Sequence, residues 1–266
     1  MPIQRLVTFT TDFGLTEHYV GVMKGVIYGI NPGVAILDVT NAVQPFDILD
    51  GALAISQAYT FFPKDTIHLV VVDPGVGGSR RPILVTAGQY LFVAPDNGVL
   101  SFVYEREERV SVRHITSEHY FLSPLSNTFH GRDVFAPVAA YLSKGVDATK
   151  FGDTITDYVR FAVPKPKPTA ENSWKAVVLK TDRFGNLITS ITPAGLPQIF
   201  NGQSFKLSVG KAEITKLVSS YAEGGAGELF AILGSTGFLE ISTNKGAASR
   251  LAAADKGSEV TVLITG

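Results

Sequence analysis

Three polar clusters in this chain carry the residue types from which a catalytic site is built. Thr10-Thr11-Asp12-Phe13-Gly14 follows a run of β-formers. Asp73-Pro74-Gly75-Val76-Gly77-Gly78-Ser79-Arg80 follows the apolar run Ile67–Val72. Asn127-Thr128-Phe129-His130-Gly131-Arg132-Asp133 leads into a helical pattern. Asp73 offers a proton acceptor, Arg80 a permanent cation, and His130 a group that exchanges protons near neutral pH. Acid, guanidinium and imidazole at successive strand ends make a catalytic constellation. Each piece also suits a structural task. Asp12 reads as a turn or helix cap, Asp73-Pro74-Gly75 as a turn, Arg80 with Arg81 as a solvated basic pair, and His130 as a loop histidine. His18, His68, His114 and His119 read as structural, His68 as a core or edge residue within a strand. Two further clusters lie downstream: Asp182-Arg183-Phe184-Gly185-Asn186, turn-like and between strands, and Leu233–Asn244, a hairpin turn leading into a half-buried strand.

Several chemistries are excluded by what is missing. There is no cysteine, so disulfides, thiolate metal sites and cysteine nucleophiles drop out. No GxxxxGK[ST] loop, GxSxG elbow or HExxH helix occurs, and Gly75-Val76-Gly77 starts a GxGxxG fingerprint that Arg80 breaks. The formal charge of −1 argues against binding nucleic acid through bulk electrostatics. Hydrophobic residues make up 45 % and charged ones 18 %, enough to bury a large core and to leave apolar subunit interfaces. No apolar run approaches the roughly 20 residues that span a bilayer. The start MPIQRLVTFTTDFG lacks a leader pattern, so a soluble cytoplasmic protein is expected.

The elements that must position these clusters fall into two groups. In residues 1–163, strands are expected at Leu6–Thr11, Ala35–Val39, Ile67–Val72, Ile83–Ala87 and Tyr90–Ala94. Helices are expected at Tyr19–Ile30, Asp47–Phe61 and Asp133–Ser143, the last closed by Gly145 and tolerating Pro137 only in its first turn. Alternating strands and helices imply an α/β domain whose strand ends gather ligand groups. Residues 164–174 hold Pro164, Pro166 and Pro168 and read as a semi-rigid linker, with Trp174 a packing anchor. Residues 175–266 read as an all-β, sandwich- or barrel-like domain with strands at Lys175–Lys180, Ser204–Val209, Glu213–Val218, Leu229–Leu233, Gly237–Ser242 and Glu259–Ile264.

Taken together, TDFG at 11–14, VDPGVG at 72–77, FHGRD at 129–133, DRFGN at 182–186 and GSTGFLEIS at 234–242 resemble, in that order, the S-adenosylmethionine hydrolases. These are also called S-adenosyl-L-methionine hydroxide adenosyltransferases and are related to fluorinases and chlorinases. The resemblance covers about residues 6–264. It implies an α/β N-terminal domain with a mainly parallel sheet, a barrel-like C-terminal domain, and a homotrimer with substrate held between one subunit's N-terminal and its neighbour's C-terminal domain. It assigns water activation to Asp73, Arg80 and His130. Asp12 would hold the ribose hydroxyls, with Phe46 against the sugar where halogenases carry a tryptophan. Asp182 would contact the methionine amino group, Phe184 and Asn186 the adenine, Ser235 the methionine carboxylate, and the backbone near Lys245 the adenine.

The departures matter. Fluorinases carry Tyr where Asp73 stands and a halide-holding Ser where Gly131 stands. Glu17 and Tyr19 replace an Asp and a Ser of their methionine site, and Thr236 replaces an Arg. The implied reaction is attack of an activated water at C5′ of S-adenosylmethionine, giving adenosine and L-methionine without metal or cofactor. Halide-dependent adenosyl transfer, and non-catalytic binding of adenosine or S-adenosylmethionine, are the alternatives.

Overall fold

The computed structural model describes residues 5–265; Met1–Gln4, where the segment read as lacking a leader begins, and Gly266 lie outside them. The chain divides into two compact units, Met1–Val163 and Pro164–Gly266. No helix among the described residues is long and apolar enough to cross a membrane.

The first unit contains β1 (Leu6–Thr11), α1 (Tyr19–Ile30), β2 (Ala35–Thr40), α2 (Ile48–Ala58), β3 (Ile67–Val71), β4 (Pro82–Ala87), β5 (Tyr90–Pro95), α3 (Ser101–Arg106), β6 (Val110–His114), α4 (Ala136–Ser143) and β7 (Thr154–Ile155). The seven strands form one sheet in the order β2-β1-β3-β5-β4-β6-β7. The pairs β2–β1, β1–β3 and β3–β5 are parallel and the pairs β5–β4, β4–β6 and β6–β7 antiparallel, so only β4 and β7 run against the other strands. The sheet is thus mixed, mostly but not wholly parallel, in keeping with the expected mainly parallel sheet. Connection length decides which: α1 and α2 are crossovers long enough to return the chain parallel, whereas Gly88-Gln89 between β4 and β5 permits only a hairpin.

Successive residues of β3 feed opposite cores. Ile67, Leu69 and Val71 pack with Val7, Phe9, Met23, Ile27 and the apolar face of α4; Val70 and Val72 pack with Ile55, Tyr59, Phe92 and Val103. That two-sided burial explains why the strand is apolar without alternation. The helical stretch expected at Asp47–Phe61 breaks at Ala58 into a 3₁₀ turn, with the Asp47 carboxylate accepting from Asp50 N–H as the N-cap. The third helix differs more: Gly131–Phe135 forms a π-helical turn before α4. Pro137, in the first turn of α4, has no N–H to give the Asp133 carbonyl, which accepts instead from Leu122 N–H at 2.9 Å.

His68 is fully buried among Tyr59, Phe62, Tyr90 and Phe92, with Nδ1 2.7 Å from the Thr8 hydroxyl. Burial pushes its pKa down from 6.5 to about 3. The unfolded chain therefore binds a proton here that the folded one refuses, and stability is lost as the pH falls below 6.5. Between about pH 6 and pH 3 this group should remove about 1.4 kcal/mol per pH unit. In His68→Gln that share of the slope should vanish, measured by urea unfolding at several pH values; identical slopes in both proteins would clear His68 of the effect.

The second unit holds β8 (Lys167–Ala170), β9 (Ser173–Thr181), β10 (Leu187–Thr189), α5 (Pro197–Phe200), β11 (Phe205–Val209), β12 (Ala212–Ile214), β13 (Leu217–Val218), β14 (Leu229–Leu233), β15 (Leu239–Thr243), α6 (Ala248–Ala252) and β16 (Glu259–Ile264). Its sheet runs β12-β11-β16-β9-β10-β15-β14-β13, with β8 added on β9. The proline stretch read as a linker thus supplies an outlying strand, where Pro168 need not donate to a continuing ladder.

The expected single strand Glu213–Val218 is split: Ile214 pairs with Leu207 at one end of the sheet, and Leu217 with Ala231 at the other. Only Thr215-Lys216 separates the two pieces, a span of at most about 11 Å. The two ends of the sheet must therefore curl round toward each other. Among the described residues no ladder joins β12 to β13, so the sheet is a curled half-barrel and not a closed one. Val178, Leu187, Leu207, Val209, Leu239, Ile241, Val260 and Val262 fill its interior.

Candidate active site

The carboxyl ends of the parallel strands set out the first cluster. β4 lies beyond β5, so the segment after β3 must cross the end of β5 to reach it. Asn97, just past β5, donates Nδ2–H to the Val72 carbonyl at 2.8 Å and holds that crossing down. Gly77 adopts φ +74, and a Cβ there would overlap the Asn127 carbonyl oxygen. Only glycine lets the 73–80 loop approach the 127–130 loop this closely. The second loop is fixed by buried Asp133, whose carboxylate accepts from Ser126 N–H at 2.8 Å and pairs with Arg132 at 2.6 Å.

This approach brings Asp73, Arg80 and His130 into one connected group. Arg80 Nε lies 3.0 Å from both Asp73 carboxylate oxygens and Nη2 2.5 Å from Oδ2. The two side chains are only 9 % and 6 % exposed, which removes them from solvent screening. The guanidinium also lies 5.3 Å from the centre of the Phe135 ring. Arg80 Nη2 is 2.8 Å from His130 Nδ1. A guanidinium has only hydrogens to give, so Nδ1 accepts and the imidazole proton sits on Nε2. Burial first, then the Arg80 charge, pushes His130 below the ordinary imidazole value, leaving it neutral at pH 7. Its Nε2 is buried without a hydrogen-bond partner among the described residues. A buried N–H left so is destabilising by about 1–3 kcal/mol, which marks it as a donor for an incoming oxygen.

Arg81, by contrast, is structural and not half of a solvated pair. It bonds Asp96 at 2.7 Å and Asp157 at 2.8 Å, tying the 157–161 segment to the sheet. Gly131 follows His130 with little room: an added Cβ would stand 3.1 Å from Met23 Sδ and 3.1 Å from Phe129 Cε2. Phe129 in turn packs edge-on against Phe13 and Tyr19.

Asp12 and Phe46 meet at the ends of β1 and β2. The two loops are joined by Gly14 N–H to the Asn41 carbonyl at 2.7 Å and by the Thr11 hydroxyl to Asn41 Oδ1 at 2.9 Å. Phe46 sits at φ +65, a left-handed conformation unusual for a bulky residue, and gives its N–H to Asp12 Oδ2 at 2.9 Å. The residue is 75 % exposed, presented rather than packed. Burial raises the Asp12 pKa, and the Asp73 charge adds to that. Glu17 is exposed in the following loop.

The second unit carries a pocket of about 860 Å³ on the outer face of β10 and β15. Asp182, Phe184, Asn186, Ser235 and Lys245 all line it, as does Thr236. The DRFGN turn is held by Asp182, whose Oδ1 accepts from Phe184 N–H and Asn186 N–H at 2.8 Å and whose Oδ2 accepts from Asn186 Nδ2 at 2.9 Å. Gly185, at φ +85, lets this turn rest on Ala247, where a Cβ would come within 2.5 Å of the Ala247 Cβ. Asn186 is buried, while the Phe184 ring is exposed to the pocket mouth. Sequence reasoning missed Ile188, Tyr221, Glu240 and Arg250 on the same wall. Glu240 left a signal, an acid between Leu239 and Ile241 in a strand whose five residues are all buried. Among the described residues no group of three or more His, Asp or Glu is placed to hold a metal ion.

Both units match family models. Residues 7–152 match the SAM hydroxide adenosyltransferase N-terminal domain and residues 176–261 the SAM hydroxide adenosyltransferase C-terminal domain. The chain is 35 % identical to the (R)-S-adenosyl-L-methionine hydrolase of Salinispora tropica over 260 residues, covering 96 % of this chain and 97 % of that one. It is 34 % identical to the enzyme of that name from Methanocaldococcus jannaschii over 270 residues, covering 97 % and 95 %. The crystal structure of an uncharacterized conserved protein from Thermotoga maritima superposes with a TM-score of 0.89 at 37 % identity, covering 97 % and 99 %. Matched through both its units and along nearly its whole length, the chain belongs to the SAM hydroxide adenosyltransferase family.

Proposed function

We propose that this protein hydrolyses S-adenosyl-L-methionine to adenosine and L-methionine. The observation that carries the reading is the buried contact group Asp73–Arg80–His130. Water is a poor nucleophile, and the sulfonium of S-adenosylmethionine is a good leaving group, so the task left to the protein is to place and activate the water. Arg80 fixes the Asp73 carboxylate, which retains lone pairs to take a proton. His130, with Nε2–H directed outward from its bond to Arg80, holds the water oxygen as a donor. The water oxygen then bonds C5′, the C5′–S pair stays on sulfur as a neutral thioether, and the proton passes to Asp73 and on to solvent. General base help of this kind contributes about 10²–10⁴-fold, and alignment behind C5′ adds to it. The activation already resides in the sulfonium, so the reading needs no metal and no cofactor.

The remaining assignments belong to the same proposal. Asp12 takes the ribose hydroxyls beside Phe46. Asp182 takes the methionine amino group, Phe184 and Asn186 the adenine with the backbone at Lys245, and Ser235 the carboxylate. The protein acts as a cytoplasmic homotrimer, with substrate shared between one subunit's N-terminal and a neighbour's C-terminal unit. Hydrolysis is favoured over halide transfer by Asp73, and by Gly131, where a larger residue would press on Met23 and Phe129. The names of the Salinispora tropica and Methanocaldococcus jannaschii relatives support the same reading.

The test is incubation with S-adenosylmethionine, with and without a chelator, followed by chromatography and light scattering. Equimolar adenosine and methionine, unchanged by the chelator, from a particle of three chains is the expected result. Tight binding without products would leave a binding protein, and 5′-halo-adenosine in high halide would make it a halogenase.

A further inference from the structure

One buried acid remains without a task. Glu240 is 7 % exposed at the centre of β15, opposite Ile188 on β10 and Ile232 on β14. A carboxylate flanked by two isoleucines on a sheet face is destabilising unless something compensates it. Its Oε2 accepts from the Tyr221 hydroxyl at 2.9 Å. Its Oε1 takes no hydrogen bond, and no Lys or Arg pairs with it, among the described residues. It lines the same pocket as Asp182, whose charge adds to burial in raising the Glu240 pKa. Asp182 is itself immobilised by three donors of its own turn. Lys245 and Arg250 also line the pocket, yet among the described residues neither pairs with Asp182 or Glu240, so the fixed acid and the acid with a spare oxygen remain open to a ligand that brings positive charge and N–H groups together.

We propose that Glu240, oriented by Tyr221, is a specificity residue that holds the α-ammonium of the substrate together with Asp182, so that the pocket selects nucleosides bearing an amino-acid tail. The inference rests on the reading that this pocket takes S-adenosylmethionine. An ammonium offers three N–H donors, whereas the sulfonium offers none. The unused Oε1 therefore identifies the nitrogen, not the sulfur, as the group recognised.

The experiment is calorimetric titration of the wild-type protein, E240Q and Tyr221→Phe with three probes. S-adenosylmethionine carries both cationic groups, S-adenosylhomocysteine only the ammonium, and 5′-methylthioadenosine neither. Glutamine keeps an oxygen to accept from Tyr221, so E240Q should fold and melt as the wild type does. Losing a charge-assisted contact is expected to weaken S-adenosylmethionine and S-adenosylhomocysteine alike by roughly 10–150-fold. Binding of 5′-methylthioadenosine should stay within about twofold. Tyr221→Phe, which keeps the charge and loses only its orientation, should show a smaller loss with the same ligand pattern. Equal weakening of all three ligands would make Glu240 a structural or adenine-contacting residue. Weakening of S-adenosylmethionine alone would assign it to the sulfonium, and no change would remove it from the site. If the wild type binds none of the three, the proposed function itself fails; if it binds all and E240Q behaves otherwise than expected, only this inference does.

Discussion

Asp73→Asn should lower turnover of S-adenosylmethionine by about 10²–10⁴-fold while leaving adenosine affinity within about twofold. Asparagine preserves the shape of the side chain and can still accept from Arg80, so the loops after β3 and before α4 stay in place. What it loses is the ability to take a proton from water. The two observables separate because Asp73 is bonded to Arg80 and, through it, to His130, whereas Asp12 is the acid fixed beside Phe46. Single-turnover product formation measures the first effect and calorimetry the second. A variant that turns over within threefold of wild type would falsify general base assistance by Asp73.

Arg80→Met should be equally inactive and, unlike Asp73→Asn, distinctly less stable. Removing the guanidinium strands a carboxylate that is 6 % exposed and takes the donor from His130 Nδ1. Breaking a buried pair from one side is destabilising by about 3–5 kcal/mol. Replacing both partners, as in Arg80→Met with Asp73→Leu, removes the uncompensated charge along with its partner. Urea unfolding should then recover most of the lost stability, while activity stays at the level of Arg80→Met alone. This contrast distinguishes a group retained for chemistry from one retained for the fold. Recovery of both stability and activity in the double variant would mean that the pair has no part in the reaction.

Much of the local structure is legible in the residues themselves. The helix Tyr19–Ile30 is found at its expected ends, because apolar spacing starts it and Asn31-Pro32-Gly33 stops it. Strand Leu6–Thr11 is likewise found where its β-formers lie. The π-turn at Gly131–Phe135 and the split of Glu213–Val218 were hidden, because each depends on a distant partner. The first involves the Leu122 N–H on the Asp133 carbonyl, and the second requires two different strands at opposite ends of one sheet. Arg81 looked like Arg80 in sequence, yet Asp96 and Asp157 claim it, and neither is near it along the chain.

The chain's own sequence determined the places of β1 to β5 and of α1, the absence of cysteine chemistry, and the residue types Asp, Arg and His at strand ends, since these follow from period, composition and turn chemistry within a few residues; α3, β6, β7 and β10 were not legible there. Tertiary structure alone decided that the sheet of the first unit is mixed, that the second unit's sheet curls without closing, and that Arg81 is claimed by Asp96 and Asp157. It also decided that Glu240 faces a pocket. The physical reason is the same in each case: strand partners, burial and the pairing of charges are set by groups that lie tens of residues apart, and their free energies exist only once the chain has brought those groups within contact.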